Sequence, residues 1–242
     1  MLSHNHIELT IQCIKRLYSY TTVPFHLIVV DDSTDLTPRW LKEWGKTHKN
    51  ITVLRPEEEI KTAWQAYMLC LPITKTPYIV IMGNSTLVEP HWLDAGFGLM
   101  KHPDVGMVGF KCLTMTGVIE CTYIQGLFAD GVMSVPDMNE LSHQATYVCQ
   151  VPAVAGALVL YRKEAIGTIW EELDKRYYGF RGFEDLDACL SMRQNGWNVV
   201  YCGYGCCKHV AGSTKMENSP EFWNEFNENK RIFRERWPNF TA

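Results

Sequence analysis

Three carboxylates and one histidine are the residues of this chain whose types and spacing could do chemistry. Glu184, Asp185 and Asp187 lie within four residues of one another, and His209 follows them in the sequence. Their mutual repulsion makes such crowding costly unless hydrogen-bond donors, a cation or a helix N-terminus offset it. Carboxylates and an imidazole can accept protons or ligate a cation, so this group predicts a functional site.

The sequence around these residues predicts the elements that position them. A repeat at helical spacing follows the carboxylates, formed by Leu186, Cys189, Leu190 and Arg193. The carboxylates then occupy the first turn of a helix, at its positive end, where they could also simply satisfy free backbone N–H groups. A short buried strand at 197–201 returns His209 to the same edge of the protein. The acidic helix start and the histidine could therefore share one site.

Predicted strands and helices alternate through the first half of the chain. Apolar runs predict strands at 25–30, 51–54 and 78–82, and amphipathic periodicity predicts helices at 7–18, 37–47 and 58–71. This order is typical of a Rossmann-like half with a largely parallel sheet that is covered on both faces. Ligands of such sheets bind at the carboxyl ends of the strands, where Asp31 and Ser85 fall.

Four motifs stand in order across about the whole chain. They are Leu-Ile-Val-Val-Asp-Asp-Ser-Thr-Asp at 27–35, the segment 78–93 around Gly83-Asn84-Ser85, Val-Ala-Gly-Ala at 154–157, and Gly-Phe-Arg-Gly-Phe-Glu-Asp at 179–185 with Gly-Trp at 196–197 and then His209. Together they resemble the inverting glycosyltransferases of family 2, and among these the rhamnosyltransferase-like members. The resemblance implies an α/β protein with the GT-A (Rossmann-like) fold, an α/β/α sandwich around a mixed, mainly parallel central sheet.

The resemblance also implies which part of the chain binds each substrate and which reaction is catalysed. Residues 1–242 would form a single GT-A domain, in which 1–93 bind the nucleotide sugar and 94–242 bind the acceptor and carry the catalytic groups. The segment 125–147 has weak periodicity and would shape the acceptor cleft. The enzyme would be an inverting hexosyl- or deoxyhexosyltransferase that moves a sugar from a UDP- or dTDP-linked donor to an acceptor hydroxyl.

Family resemblance places the donor at the ends of the early strands. The implied nucleotide-sugar-binding residues are Ser3, Asp31, Asp32, Lys61, Asn84 and Ser85. Asp31 or Asp32 would accept hydrogen bonds from a uracil or thymine ring, because a carboxylate is purely an acceptor. Segment 31–35 could instead be a turn that caps the next helix, and Lys61 could be an exposed helical lysine.

Catalytic and acceptor residues are implied in the second half. Asp185 would be the general base, and Glu184 would orient hydroxyl groups of the donor or acceptor. The implied acceptor-binding residues are Gly156, Tyr178, Phe180 and Asp187. Tyr178 and Phe180 could stack on a sugar or a base, and Asp187 would support the neighbouring carboxylates.

The metal site is where this chain departs from the family. Most GT-A enzymes neutralise the departing diphosphate with a divalent cation held by Asp-X-Asp, but the aligned triplet here is Gly83-Asn84-Ser85. Three alternatives stay open. A Mn²⁺ or Mg²⁺ ion could be held by His209, Ser85 and a carboxylate of the acidic cluster, the enzyme could use basic side chains without a metal, or the protein could bind a nucleotide sugar or a partner without catalysis.

Composition limits the class of protein. The formal net charge of -4 gives no general reason to expect a polyanionic partner, and no apolar run reaches the ~18 residues of a membrane span. The start of the chain lacks the basic and apolar parts of a signal peptide, and nine scattered cysteines suggest reduced thiols. The chain is therefore predicted to be cytoplasmic, with a nucleotide-sugar donor and a glycan or lipid-linked acceptor as partners. Modified DNA and protein acceptors stay open.

Overall fold

The computed structural model describes residues 1–179, 182–210 and 219–242. Twelve strands lie in these parts: β1 Leu2–Ser3, β2 Leu27–Asp31, β3 Ile51–Leu54, β4 Tyr78–Met82, β5 Thr86–Val88, β6 Val105–Leu113, β7 Ile119–Cys121, β8 Gly126–Leu127, β9 Met133–Ser134, β10 Val148–Gln150, β11 Leu158–Arg162 and β12 Asn198–His209. The α-helices there are α1 Ile7–Tyr20, α2 Thr37–Thr47, α3 Ala63–Cys70, α4 Asp94–Leu99, α5 Lys163–Ile166, α6 Ile169–Arg176, α7 Glu184–Gln194 and α8 Pro220–Arg236.

Two groups of strands meet at β1 to form the central sheet. Strands β3, β2 and β1 are parallel, and a parallel bridge from Leu2 to Gly83 links β1 to β4. The order then continues through β11, β6, β12 and β10, with β5 paired to β12 and β7 paired to β6. The α/β fold with a mixed sheet is confirmed. Its second half is more antiparallel than the apolar runs indicated, because β11 runs antiparallel to both β4 and β6.

Apolar side chains cover the sheet on both faces, which produces the three-layer arrangement. One core contains Ile14 and Leu17 of α1 together with Trp92, and it packs on one face of the sheet. The other core contains Trp170 of α6 and Leu186 of α7 and packs on the opposite face. Burial on both faces explains why β4 is an unbroken apolar run in the sequence.

Element boundaries differ from the prediction at two places that affect the site. The helix predicted at 58–71 begins only at Ala63, because Thr62 caps it by accepting a hydrogen bond from the N–H of Gln65 at 3.1 Å. The strand predicted at 197–201 extends to His209 as β12. The carboxyl ends of β1, β2 and β4 therefore lie together with the end of β12 through the pairing of β5. No helix in the described ranges is both long enough and apolar enough to span a membrane.

Candidate active site

Asp185 lies in the first turn of α7 with both carboxylate oxygens hydrogen-bonded to the backbone. Its Oδ2 accepts from the N–H of Gly156 at 3.0 Å, and its Oδ1 accepts from the N–H of Leu186 at 2.9 Å. Burial raises the pKa of Asp185 above its usual value, and these backbone donors limit the rise. The result is a fixed, half-buried carboxylate that is more basic than an exposed one, as a proton acceptor requires.

Gly156 is in direct contact with this carboxylate. A Cβ atom at Gly156 would lie 3.1 Å from the Cβ of Asp185 and 3.4 Å from its Oδ2. A larger residue would therefore displace the carboxylate or its hydrogen-bond donor. The structure thus brings together a residue predicted on the acceptor side and the residue predicted as the base.

Glu184 lies in a different environment from that of Asp185. Its charge contributes to raising the pKa of Tyr67, after burial and the nearby Cys70, so it lies within electrostatic range of the aromatic core between α3 and α6. Glu184 itself is half-buried. Its predicted role in orienting hydroxyl groups stays a prediction.

Asp187 is a buried structural anion. Its side chain has 0% exposure. Its two oxygens accept hydrogen bonds from Arg176, Tyr177, Ser191, Arg236 and Trp237. These partners connect α7 to α6 and to the C-terminal residues, and two guanidinium groups neutralise the buried charge. The placement contradicts the predicted acceptor contact of Asp187, because no surface of the side chain is left for an acceptor.

Tyr178 is exposed near the start of α7, and a buried asparagine holds its backbone. Asn229 of α8 accepts from the N–H of Tyr178 and donates to its carbonyl oxygen, both at 2.9 Å. The Tyr178 side chain is 54% exposed, so its ring is available to stack on a sugar. Phe180, the other aromatic residue predicted here, lies outside the described residues.

The two aspartates at the end of β2 lie in different environments. Asp31 is buried under Arg55, whose Nη1 donates to Oδ2 at 2.6 Å, and its Oδ1 has no hydrogen-bond partner among the described residues. Asp32 is partly exposed, and its Oδ2 lies 3.5 Å from Nδ1 of His4. Asp32 is therefore accessible to a ligand, whereas Asp31 is covered by its surroundings.

Asn5 joins three loops at this corner of the sheet. Its N–H donates to Oγ of Ser33 at 2.8 Å, and its Oδ1 accepts from the N–H of Thr34 at 2.8 Å. Its carbonyl oxygen accepts from Nδ2 of Asn84 at 2.8 Å. The φ of 53° at Asn5 lies in the left-handed region, which asparagine tolerates better than most residues. Asn84 is thereby fixed beside the loop that follows Asp31.

Two other residues that were predicted to bind the nucleotide sugar, Ser3 and Lys61, lie in surroundings that the motifs did not indicate. Ser3 has 0% exposure, and its Oγ lies 3.5 Å from the hydroxyl of Thr10 on α1. This burial contradicts a nucleotide contact by the Ser3 side chain. Lys61 is exposed just before α3 rather than within a helix, and its N–H donates to Oε1 of Gln65 at 2.9 Å. A nucleotide contact of Lys61 stays a prediction.

His209 ends β12 beside the triplet aligned with Asp-X-Asp. The pairing of β5 with β12 sets His209 opposite Thr86, and the N–H of Val210 donates to the carbonyl oxygen of Ser85 at 3.1 Å. Nδ1 of His209 lies 3.2 Å from Oε2 of Glu120 on β7. With the proton on Nδ1, this contact leaves Nε2 as a lone-pair donor.

A divalent cation fits this corner as a companion of the nucleotide. Among the residues that the structure describes, no three His, Cys, Asp or Glu side chains are grouped to hold a metal. Nε2 of His209 supplies one imidazole ligand and Ser85 a neighbouring neutral hydroxyl, while Glu120 orients the imidazole through Nδ1. Nucleotide-bound Mg²⁺ commonly takes one or two protein carboxylates and completes its shell with phosphates and water. The ligand set is thus adequate only together with a bound diphosphate.

Thr86 connects the strand-end corner around Asn84 to the segment that holds Asp185. Its Oγ1 donates to the carbonyl oxygen of Ala157 at 2.9 Å, and Ala157 follows the glycine that donates to Asp185. Thr86 is buried, so this connection is shielded from water.

The charges of Asp185 and Glu120 both affect the thiol of Cys121. Burial is the main cause that raises the pKa of Cys121, and the nearby Cys112, Asp185 and Glu120 add to it. Both carboxylates therefore lie within electrostatic range of Cys121. Glu120 also contacts His209. A site shared by the histidine and the acidic helix start stays a prediction.

Sequence analysis missed four residues of this candidate site: Asn5, Arg55, Thr86 and Glu120. Asn5 and Thr86 adjoin predicted positions, and Arg55 directly follows β3, so the strand-end rule that selected Asp31 could have found all three. Glu120 carries no such signal. Only the pairing of β7 with β6 brings it to His209.

Comparison with known proteins gives a consistent family and fold. The family model described as glycosyltransferase-like family 2 matches residues 12–234. The uncharacterized protein y4gI of Sinorhizobium fredii is 26% identical over 229 residues, which cover 88% of this chain and 24% of that protein. The chain thus spans about a quarter of the length of the curated relative that it matches.

Two solved structures resemble the fold at low sequence identity. The crystal structure of GalNAc-T7 with UDP, GalNAc and Mn²⁺ has a TM-score of 0.72 and 14% identity, over 99% of this chain and 48% of that one. The mannosyltransferase PcManGT from Pyrobaculum calidifontis, in complex with GDP-Man and Mn²⁺, has a TM-score of 0.60 and 16% identity, over 96% of this chain and 68% of that one. The predicted GT-A fold is confirmed by these likenesses.

Proposed function

The chain belongs to the family described as glycosyltransferase-like family 2, and on that premise we propose that it transfers a sugar from a nucleoside diphosphate sugar to an acceptor hydroxyl with inversion. One observation carries the proposal. Asp185, a backbone-held carboxylate with a raised pKa, is joined through Gly156, Ala157 and Thr86 to the loops at the strand ends. This arrangement supports a proton acceptor and a donor site in one cleft.

In the proposed reaction, Asp185 removes the proton of the acceptor hydroxyl as that oxygen attacks the anomeric carbon. The new carbon–oxygen bond forms while the bond from the anomeric carbon to the diphosphate oxygen breaks. The nucleoside diphosphate leaves with the electron pair, and attack opposite to its departure inverts the configuration. The N–H groups of Gly156 and Leu186 hold the carboxylate in position, so little reorganisation accompanies proton transfer.

We assign the nucleotide to the corner formed by Asn5, Asp32, Arg55 and Asn84. Asp32 offers an exposed acceptor to the ring N–H of a uracil or thymine. Asp31 offers a second one if Arg55 moves, since its buried Oδ1 has no partner among the described residues. Such a ring would supply the hydrogen bond whose absence is costly to a buried carboxylate.

A divalent cation, when bound, neutralises negative charge that develops on the departing diphosphate. His209, through Nε2, and Ser85 are the residues that would hold it, and Glu120 would orient the imidazole through Nδ1. Both solved neighbours contain Mn²⁺, which supports a metal, and one contains UDP whereas the other contains GDP-Man. We retain UDP- or dTDP-linked sugars as the proposed donors on the family resemblance of the segment at 27–35; a carboxylate would also accept from the ring N–H of guanine, so the assay includes GDP-linked sugars.

The acceptor site is proposed beside Gly156 and Tyr178, at the open side of Asp185. The exposed ring of Tyr178 suits the apolar face of a sugar, which supports a glycan or lipid-linked acceptor. The segment 125–147, which contains β8 and β9, would contribute the rest of the cleft. The division into a donor half at 1–93 and an acceptor half at 94–242 is part of this proposal.

A second candidate function follows from the triplet Gly83-Asn84-Ser85. Because neither Asp-X-Asp carboxylate is present, the protein could bind a nucleotide sugar or a partner without transferring the sugar. The two candidates differ in turnover and not in binding.

One assay separates them. Purified protein is incubated with UDP-, dTDP- and GDP-linked sugars in Mn²⁺, Mg²⁺ or EDTA, and the released nucleoside diphosphate is measured beside calorimetric binding of the same nucleotides. We expect release from at least one donor in the native protein and its loss in Asp185→Asn, with nucleotide binding retained. Binding without release from any donor would favour the second candidate as a nucleotide-sugar binder. The absence of both would contradict sugar transfer and nucleotide-sugar binding alike and leave binding of a partner as the function to test.

A further inference from the structure

The start of α7 lacks the local signal that usually fixes where a helix begins. A helix is normally preceded by an extended Ser, Thr, Asp or Asn whose side chain accepts a hydrogen bond from the first turn. Phe183 occupies this position with φ 74° and ψ −22°, and its side chain cannot accept such a bond. Its carbonyl oxygen accepts the first intrahelical bond, from the N–H of Asp187 at 3.0 Å. The direction of the first turn, which holds Asp185, therefore depends on the conformation of Phe183.

The backbone conformation of Phe183 is unfavourable for its residue type. A φ of 74° lies in the left-handed region, where an aromatic residue is an outlier. Gly182, directly before it, has a φ of 83°, which glycine adopts without steric cost. Two consecutive left-handed residues thus precede Glu184, and the second of them is strained. Such strain persists only where the surrounding structure imposes it.

One face of α8 imposes this conformation. Phe183 has 0% exposure, and its ring centroid lies 5.2 Å from that of Phe226 and 5.6 Å from that of Phe233. Asn229 lies between these two aromatic residues at helical spacing, and its Nδ2 donates to the carbonyl oxygen of Gly182 at 3.4 Å. The same helical face thus contacts both left-handed residues.

The constraint reaches the proposed base through a short stretch of chain. Asp185 is two residues after Phe183, whereas the N–H of Gly156 that donates to its Oδ2 at 3.0 Å belongs to the distant segment before β11. This bond therefore forms only when the first turn of α7 keeps its position. A displacement of about 1 Å at a catalytic group can cost on the order of 10²-fold in rate.

We propose that Phe183 is a positioning residue: the aromatic face of α8 holds it in the left-handed conformation, and that conformation sets the first turn of α7 so that Asp185 meets the N–H of Gly156. Phe183 has no exposed surface for a substrate, so it acts through Asp185. The catalytic consequence rests on the proposed function, in which Asp185 is the base.

The test compares Phe183→Gly with Phe183→Ala in the full 242-residue chain. Both variants remove the ring, but only glycine adopts a positive φ freely. If the ring mattered only as buried apolar surface, alanine would be the milder change, because it buries a methyl group and is less flexible when unfolded. The order of the two variants therefore separates backbone positioning from simple packing.

Hydrogen exchange at the N–H of Gly156 is the first measurement, since this group donates to Asp185. It is compared with exchange at the N–H of Val151, which donates to the carbonyl oxygen of Val199 at 2.9 Å and reports general destabilisation. We expect Phe183→Ala to accelerate exchange at Gly156 relative to Val151 at least ~5-fold more than Phe183→Gly does, as the cost of a left-handed alanine implies.

Turnover is the second measurement. We expect kcat to decrease from the native protein to Phe183→Gly and further to Phe183→Ala, while donor affinity changes by less than about twofold. If the native protein releases no nucleotide from any donor, the proposed function fails. The exchange at Gly156 still decides the positioning role in that case, because it requires no turnover.

A milder effect of Phe183→Ala than of Phe183→Gly on exchange at Gly156 would overturn the proposal, and so would equal effects of the two. Should neither variant fold, Phe226→Ala is compared with Trp223→Ala. Both residues are aromatic and lie on α8, but Trp223 is 47% exposed and packs on Phe226, whereas Phe226 contacts Phe183. Only Phe226→Ala should then accelerate exchange at Gly156 relative to Val151, and equal effects would contradict the proposal.

Discussion

The buried hydroxyl of Thr86 donates a 2.9 Å hydrogen bond to the carbonyl oxygen of Ala157, and this bond joins the two sides of the cleft. Thr86 begins β5, directly after the triplet Gly83-Asn84-Ser85, whereas Ala157 follows the glycine that holds Asp185. The separation between donor loops and proton acceptor is thus set by main-chain segments of the sheet. Substitutions at either side should affect donor binding and proton transfer separately.

Replacing Asp185 by Asn should lower turnover by the ~10² to 10⁴ that is typical of lost general-base catalysis. Nucleotide affinity should stay nearly unchanged, because the donor loops keep their contacts. Steady-state kinetics with calorimetry on the same preparation measure both quantities. Full transfer activity in a folded Asp185→Asn protein saturated with donor would make Glu184 the next candidate for the base.

Activity should fall on the acid side at a higher pH than for an ordinary carboxylate, whose pKa is about 4. Burial raises the pKa of Asp185, and proton uptake removes the acceptor for the hydroxyl proton, so kcat/KM should decrease as the pH falls through this raised value. The pH profile of the native enzyme is compared with that of Asp185→Asn. An acid limb of the same position and slope in both proteins would contradict the assignment.

Gly156→Ala should reduce turnover by about 10- to 100-fold while nucleotide affinity changes by less than about twofold, as expected when a catalytic group is misplaced. The reason is the 3.1 Å separation between the added Cβ and the Cβ of Asp185. Gly98→Ala is the matched control, because a Cβ there meets nothing within 4 Å. Equal activities of the two variants would show that the close approach at Gly156 is unimportant.

Glu120→Gln and His209→Ala should weaken donor binding in Mn²⁺ more than in EDTA. Loss of the carboxylate or of the imidazole removes a charge partner or ligand of a nucleotide-bound cation, and outer partners of metal-binding histidines commonly matter 10- to 100-fold. Calorimetric titration of the nucleotide under both conditions checks this, with the exposed Glu140→Gln as control. The same loss in EDTA would indicate a direct contact with the diphosphate instead of a metal.

Asp187→Asn should destabilise the protein by about 1.5–3 kcal/mol, because it removes the buried charge that accepts hydrogen bonds from two partly exposed guanidinium groups. The fraction that remains folded should keep its kcat/KM within about threefold, since Asp187 has no exposed surface. Chemical denaturation and kinetics at low temperature test the two parts. The control Glu171→Gln removes only a surface ion pair with Lys175 and should change stability by less than about 1 kcal/mol.

The sequence was most informative where function depends on local pattern. Asp31 and Ser85 lie at or just after the ends of buried apolar strands. The helix that begins at Glu184 is indicated by the helical spacing of the apolar residues that follow. Such features depend on neighbouring residues and on the general rule that ligands bind at strand ends. The α/β fold and the family could therefore be predicted.

What could not be predicted depends on contacts between distant segments. Asp187 has the same local setting as Asp185, but Arg236 and Trp237 from the C-terminal end cover it and make it structural. Ser3 is buried by packing against α1, and Glu120 reaches His209 only through the register of β7 with β6. No pattern within a short window of sequence carries this information.

Two hydrogen bonds between the Asn229 side chain and the Tyr178 backbone join α8 to the segment just before α7, which is distant in sequence. Replacing Asn229 by Ala would remove the only side chain, among the described residues, that holds the Tyr178 backbone, while Arg236 and Trp237 keep their contacts with Asp187. Under the proposed function, such a variant should still release nucleotide from its donor by transfer to water yet use larger acceptors poorly. Acceptor preference would then be set in part by the last helix, which carries none of the residues proposed to do the chemistry.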